Sequence, residues 1–126
     1  MKGAVAEKTK HAGRHCQRAL LAVEDALYVI GGKWKLKIII SLQEHGNLRF
    51  NQLQRIVSGI SARVLSAELK ELEMNGFVKR KVDVDGPVLV EYELTGYSDT
   101  LNDVLQSMVK WGTKHREKIR REYKEK

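Results

Sequence analysis

The sequence predicts a mainly α domain with one small β-hairpin, and three observations predict it. Apolar residues recur at helical spacing along most of the 126 residues. The period switches to two only between Phe77 and Leu94. Short glycine-containing breaks, Gly31-Gly32, Gly46-Asn47, Ser58-Gly59, Gly76 and Asp85-Gly86-Pro87, cut the pattern into separate elements. This length supports one domain with a modest core. A hydrophobic content of 42% and a charged content of 31% belong to a folded chain rather than a disordered one.

Residues 1–16 are small, basic and without period, and read as a flexible tail. From Gln17 a helical face forms from Leu20, Val23, Leu27 and Ile30, and Gly31-Gly32 ends it. Lys33 to His45 predicts a second helix in which Trp34, Leu36, Ile38, Ile39, Ile40 and Leu42 cover most of the circumference. A helix apolar on so many sides is the central one of its domain. Leu48-Arg49-Phe50 suits a short extended piece. A third helix over Asn51 to Val57 buries Phe50, Leu53 and Ile56 or Val57.

After the tight turn Ser58-Gly59, Ser61 starts a fourth helix as its N-cap, its hydroxyl free to accept from a backbone N–H one turn on. Leu65, Leu69 and Leu72 make its buried stripe, and Gly76 follows where a left-handed C-cap is expected. Helix, brief turn, helix is the spacing of a helix-turn-helix. Phe77, Val78, Val82 and Val84 then alternate with Lys79, Arg80, Lys81 and Asp83, a strand with a charged face. Val88 to Leu94 returns after the Asp85-Gly86-Pro87 turn. A hairpin directly after the fourth helix is the wing of a winged helix. Thr95 or Ser98 is placed to cap a last helix with Leu101, Val104, Leu105, Met108 and Trp111 or Val109 on one stripe. A basic extension follows over residues 116–126, where Ile119 and Tyr123 keep a thin apolar line. The domain itself spans residues 17–115, with no internal repeat.

Twenty-three lysines and arginines against 16 acidic residues give a net charge of +7, which fits nucleic acid or an anionic membrane surface. The N-terminus lacks the apolar core of a secretory signal, and Ile38-Ile39-Ile40 is far too short to cross a bilayer. One cysteine, Cys16, excludes an intramolecular disulfide and argues for a reducing compartment, so the expected location is the cytoplasm. His11, His15, His45 and His115 have no spacing that pairs a nucleophile with a base. No glycine-rich phosphate loop appears. His11, His15 and Cys16 are weak support for zinc. The expectation is a non-enzyme with neither metal nor cofactor.

Four stretches in order resemble the HxlR-type group of winged helix-turn-helix regulators. They are Val23 to Ile30 with the Gly31-Gly32-Lys33-Trp34 step; Arg49-Phe50-Asn51-Gln52-Leu53; Gly59-Ile60-Ser61 through Glu73 with Gly76-Phe77-Val78-Lys79-Arg80; and Val90-Glu91-Tyr92-Glu93-Leu94-Thr95 with Trp111-Gly112. The likeness covers about residues 21–115. It implies a homodimer on a near-palindromic operator, joined through the first and last helices, with the fourth helix in the major groove. Relatives that sense oxidants carry a cysteine at the position of Leu21, whereas Cys16 lies five residues earlier. Relatives also tend to place a basic residue where this chain has Leu89.

On this reading Arg63 reads a base edge, because a guanidinium pairs in bidentate fashion with guanine. Ala62 and Ser66 are small enough to let the helix approach, with Ser66 a direct donor candidate; Ser61 caps the helix and is placed to touch a phosphate, and Lys70 meets a phosphate. Arg49 at the start of the third helix is a further phosphate contact, as are Lys33 and Lys35 on the second. On the wing Lys79 and Lys81 share one face and Arg80 the other, and only one of the two sets can face DNA. Leu20, Val23, Leu27, Leu101, Val104, Leu105 and Met108 are the dimer candidates, and Trp34 and Trp111 read as packing residues. The expected function is a sequence-specific DNA-binding regulator, a repressor, with double-stranded DNA and a second copy of itself as partners. The sequence identifies no small-molecule inducer. The competing readings are a winged helix used for protein contact and a nonspecific architectural DNA binder.

Overall fold

A computed structural model describes the backbone of residues 2–125 and the side chains of residues 16–124. In order come helix α1 (Lys2–Ile30), helix α2 (Lys35–His45), strand β1 (Leu48–Arg49), helix α3 (Phe50–Ile56), helix α4 (Ala62–Met74), strands β2 (Val78–Asp83) and β3 (Leu89–Leu94), a 3-10 turn (Gly96–Leu101) and helix α5 (Asn102–Glu125). The expected α+β architecture holds. Its sheet has three strands, because the extended piece Leu48–Arg49 pairs antiparallel with β3 (Leu48 opposite Tyr92, Arg49 opposite Glu91).

Two stretches continue as helix beyond the expected domain limits. The backbone from Lys2 joins α1 without a break, since Ala4, Ala6, Glu7, Lys8 and Ala12 are good helix formers and no proline intervenes. The basic extension continues α5 to Glu125. The 3-10 turn inserted before α5 changes the capping. Neither Thr95 nor Ser98 caps by its side chain: Thr95 Oγ1 donates to the Gly76 carbonyl and Ser98 Oγ to the Thr95 carbonyl. The Thr95 hydroxyl thus ties the end of α4 to the start of the last segment, and the Ser98 hydroxyl closes the 3-10 turn locally.

Ile38, Ile39, Leu53, Leu65, Leu69 and Leu72 are fully buried and join Leu42, Leu48, Val57, Ile60, Phe77, Val78, Leu101 and Leu105 in one core. Each such side chain removed from water contributes about 1.5–3 kcal/mol before entropy is counted. Helix α2 lies at the centre as its apolar circumference requires. It meets α3, α4 and the sheet, with Ile38 and Ile39 fully buried in the shared core.

Candidate nucleic-acid interface

Local chemistry builds the unit from α3 to α4 at each of its joints. At the start of α3, Gln52 Oε1 accepts from the Arg49 backbone N–H at 2.9 Å, satisfying one donor that the helix leaves open. Between the helices, Gly59 has φ +89°, a left-handed conformation that closes the turn without strain. Ser61 Oγ accepts from Val64 N at 3.2 Å, the expected N-cap. At the far end Gly76 has φ +82°. The N–H of Gly76 bonds to the Glu73 carbonyl (3.1 Å) and that of Phe77 to the Leu72 carbonyl (3.0 Å), a Schellman stop. These caps make α4 a rod of set length and direction.

With Leu65, Leu69 and Leu72 turned inward, α4 exposes Ala62, Arg63, Ser66 and Lys70, and Ser61 is exposed just before it. Among the described residues Arg63, Lys70 and Arg49 form no ion pair. Of the three carboxylates on the same helix, Glu68 and Glu71 are engaged by α2, and Glu73, three residues from Lys70, forms no ion pair with it. Lys35 Nζ lies 2.7 Å from Glu68 Oε2 and 2.5 Å from Glu71 Oε2. Lys35 is only 7% exposed, so the expectation that it meets a phosphate is corrected: its ammonium points at α4. Burial alone would pull that ammonium down, but hydrogen bonds and attraction from Glu68 and Glu71 outweigh it and raise its pKa above the ordinary lysine value.

Next to it, Trp34 is half-buried against the core. The Lys33 and Lys37 ammonium groups stand 4.7 and 5.2 Å from its ring, a cation–π arrangement. Lys37 and Arg55 are exposed cations near the helix pair that the sequence reading passes over. Arg55 lines a shallow hollow with Asn51, Gln54 and Ile60 where α3 meets the turn. Their cationic type was visible in the sequence, but not their place beside the turn.

The wing sorts its charges by strand register. Lys79 lies opposite Glu93 and Lys81 opposite Glu91, on one face; Arg80 lies opposite Tyr92 on the other. Lys79 Nζ reaches Glu93 Oε1 at 3.3 Å, and Asn47 Nδ2 donates to Glu93 Oε2 at 3.2 Å. The Lys79/Lys81 face is therefore largely neutralised by its own partner strand. Burial raises the Tyr92 hydroxyl pKa, with the Arg80 charge opposing the rise. At the tip, the Asp85 N–H bonds to Asp83 Oδ1 (3.1 Å), and residues 82–90 contain two aspartates and no cation.

The terminal helices contrast with this unit. Leu20, Val23 and Leu27 are exposed on α1, as are Val104 and Met108 on α5, each without cover in the single chain. Leu101 and Leu105 are a correction: at 8% and 7% exposure they close the chain's own core and have little surface left for a partner. Trp111, expected to pack, is 67% exposed and stacks on His115 with ring centroids 4.9 Å apart. Cys16 is exposed on α1. Among the described residues no helix is long and apolar enough to cross a membrane, and no group of acidic, His and Cys side chains is arranged to hold a metal.

The family profile described as HxlR-like helix-turn-helix matches residues 29–120. An HTH-type transcriptional regulator of Halalkalibacterium halodurans is 45% identical over 89 residues, covering 71% of this chain and 79% of that protein. YtcD of Bacillus subtilis, also named an HTH-type transcriptional regulator, is 40% identical over 95 residues, 75% of each chain. Among solved structures, the redox regulator HypR in its reduced form superposes with a TM-score of 0.71 at 39% identity. That match covers 79% of this chain and 97% of HypR.

Proposed function

Because the chain belongs to the HxlR-like helix-turn-helix family of transcriptional regulators, we propose that it recognises a specific near-palindromic operator as a homodimer and represses the gene beside it. The observation that carries this reading is the outward face of α4, where Ala62, Arg63, Ser66 and Lys70 stand exposed. Small residues permit close approach to the major groove, Arg63 offers a bidentate donor to guanine, and Lys70 and Arg49 offer charge to phosphates. A protomer alone covers one short half-site, too little to select an operator in a genome. Pairing through Leu20, Val23 and Leu27 of α1 and Val104 and Met108 of α5 would cover those side chains. It would also set two copies of α4 about 34 Å apart, one turn of DNA. A dimer seated on the duplex excludes other proteins from it, which makes repression the simplest outcome.

Selection of bound duplexes from a random pool tests the reading. It predicts a consensus with two inverted half-sites one helical turn apart. Binding to that consensus should weaken with salt at a log–log slope near −7, for about eight phosphate contacts per dimer. No enrichment, or a flat slope, would overturn it in favour of a protein-contact role. Equal binding to selected and random duplexes would make the protein an architectural DNA binder instead.

A further inference from the structure

We propose that Lys35 is a positioning residue for DNA recognition: it binds Glu68 and Glu71 on the α2 side of α4, drawing two carboxylates of the reading helix to that flank and setting which face of the helix meets the duplex. The inference rests on the reading of α4 as the DNA-contacting helix.

Charge on α4 itself makes such a device necessary. From Ala62 to Met74 the helix carries Arg63 and Lys70 against Glu68, Glu71 and Glu73, two positive charges against three negative. An element with that balance is a poor probe for a polyanion. At 3.6 residues per turn, however, Ser66 and Lys70 lie on one flank and Glu68 and Glu71 on the other, with Arg63 near the crest between them. Lys35 binds the two carboxylates on their own flank, at 2.7 and 2.5 Å, and brings the local sum to zero. Glu68 is largely shielded, and Lys35 nearly wholly so, which lets that contact persist at salt concentrations that screen exposed pairs; the Glu71 side chain is 57% exposed and its contact is screened more strongly.

The same turn of α2 also supports the approach to α4. A side chain built on Gly59 would touch the Trp34 ring at 3.8 Å, so Trp34 lies beneath the turn that leads into α4. Residues 34 and 35 therefore hold the reading helix at its preceding turn and along one flank, and neither contact reaches the proposed DNA face.

The test compares wild type, Lys35→Met, Lys35→Gln and the triple variant Lys35→Met/Glu68→Gln/Glu71→Gln on the selected duplex and on a random one, with circular dichroism confirming the fold. Lys35→Met should bind the selected duplex tenfold or more weakly, with reduced discrimination between the two duplexes. Its salt slope should stay near that of wild type, because no phosphate contact is lost. The triple variant should recover most of the affinity. Should Lys35→Met not fold, Lys35→Gln carries the same comparison, since it keeps a hydrogen-bond donor for one carboxylate. Wild-type affinity and discrimination in the folded Lys35 variant would overturn the proposal. So would a uniform loss on both duplexes with the slope reduced by about 0.9 per protomer, the mark of a direct phosphate contact. A triple variant no better than the single one would overturn it as well. A wild-type protein that ignores both duplexes would instead remove the proposed function beneath it.

Discussion

Helix α4 and helix α5 are both amphipathic, but they finish opposite halves of their surfaces. In α4 the apolar stripe Leu65, Leu69 and Leu72 is fully covered by the chain's own core, and the exposed surface of its first two turns is small, polar or cationic, with Glu71 and Met74 exposed only toward its far end. In α5 only Leu101, just before it, and Leu105 reach that core; Val104, Met108, Trp111, Ile119 and Tyr123 stay exposed down its length. Helix α1 repeats the second pattern with Leu20, Val23 and Leu27. Water tolerates single exposed apolar side chains but disfavours contiguous rows of them. The difference therefore teaches which surface is complete in one chain and which calls for another. The complete helix leaves a polar surface outside, and the incomplete ones leave apolar rows in water, which the proposed dimer would use.

Mutations can break this contrast. Leu69→Ala should cost the protomer about 2–5 kcal/mol in chemical denaturation, because it opens a cavity in a closed core. Met108→Asp should leave the fold intact and instead yield a monomer by sedimentation, with operator affinity down about a hundredfold, close to 2.7 kcal/mol. If Met108→Asp stays dimeric, the exposed row on α5 is not the interface.

Smaller effects sharpen the comparison. Arg63→Ala should lose about 1–3 kcal/mol of operator binding and relax preference at one position per half-site, measured by fluorescence anisotropy. Unchanged selectivity would remove Arg63 from base reading. Ser61→Ala should cost about 1 kcal/mol of stability through the lost N-cap, read from the denaturation midpoint. Smallest of all, Lys79→Gln/Lys81→Gln should change operator affinity less than about threefold, because Glu93 and Glu91 already face those lysines and exposed pairs contribute little. A tenfold loss would place that wing face on the duplex.

Much of the helix-turn-helix was legible because its signals are local. A hydroxyl at Ser61, glycines at 59 and 76 and leucines at 65, 69 and 72 act within one or two turns of the backbone they shape. The wing strands were legible in the same way, through alternation. The partners of the lysines were not. Lys35 reads as an exposed cation at a helix start until α4 is laid against α2, and Glu68 and Glu71 lie more than thirty positions away in the chain. Lys79 and Lys81 read as a basic face until the register sets Glu93 and Glu91 across from them. Leu105 and Met108 share one helical stripe, yet packing divides them between core and surface.

By itself the sequence determined the central helices and the wing strands, the caps and turns of the helix-turn-helix, the excess of positive charge and the face that α4 would expose, since each depends on neighbours a few residues apart. Which cations stay available, which apolar side chains are already spent on the core and which carboxylates are held away from the reading face were decided only by tertiary structure. Charge pairing and burial depend on distances between segments far apart in the chain, and those distances exist only once the helices have packed.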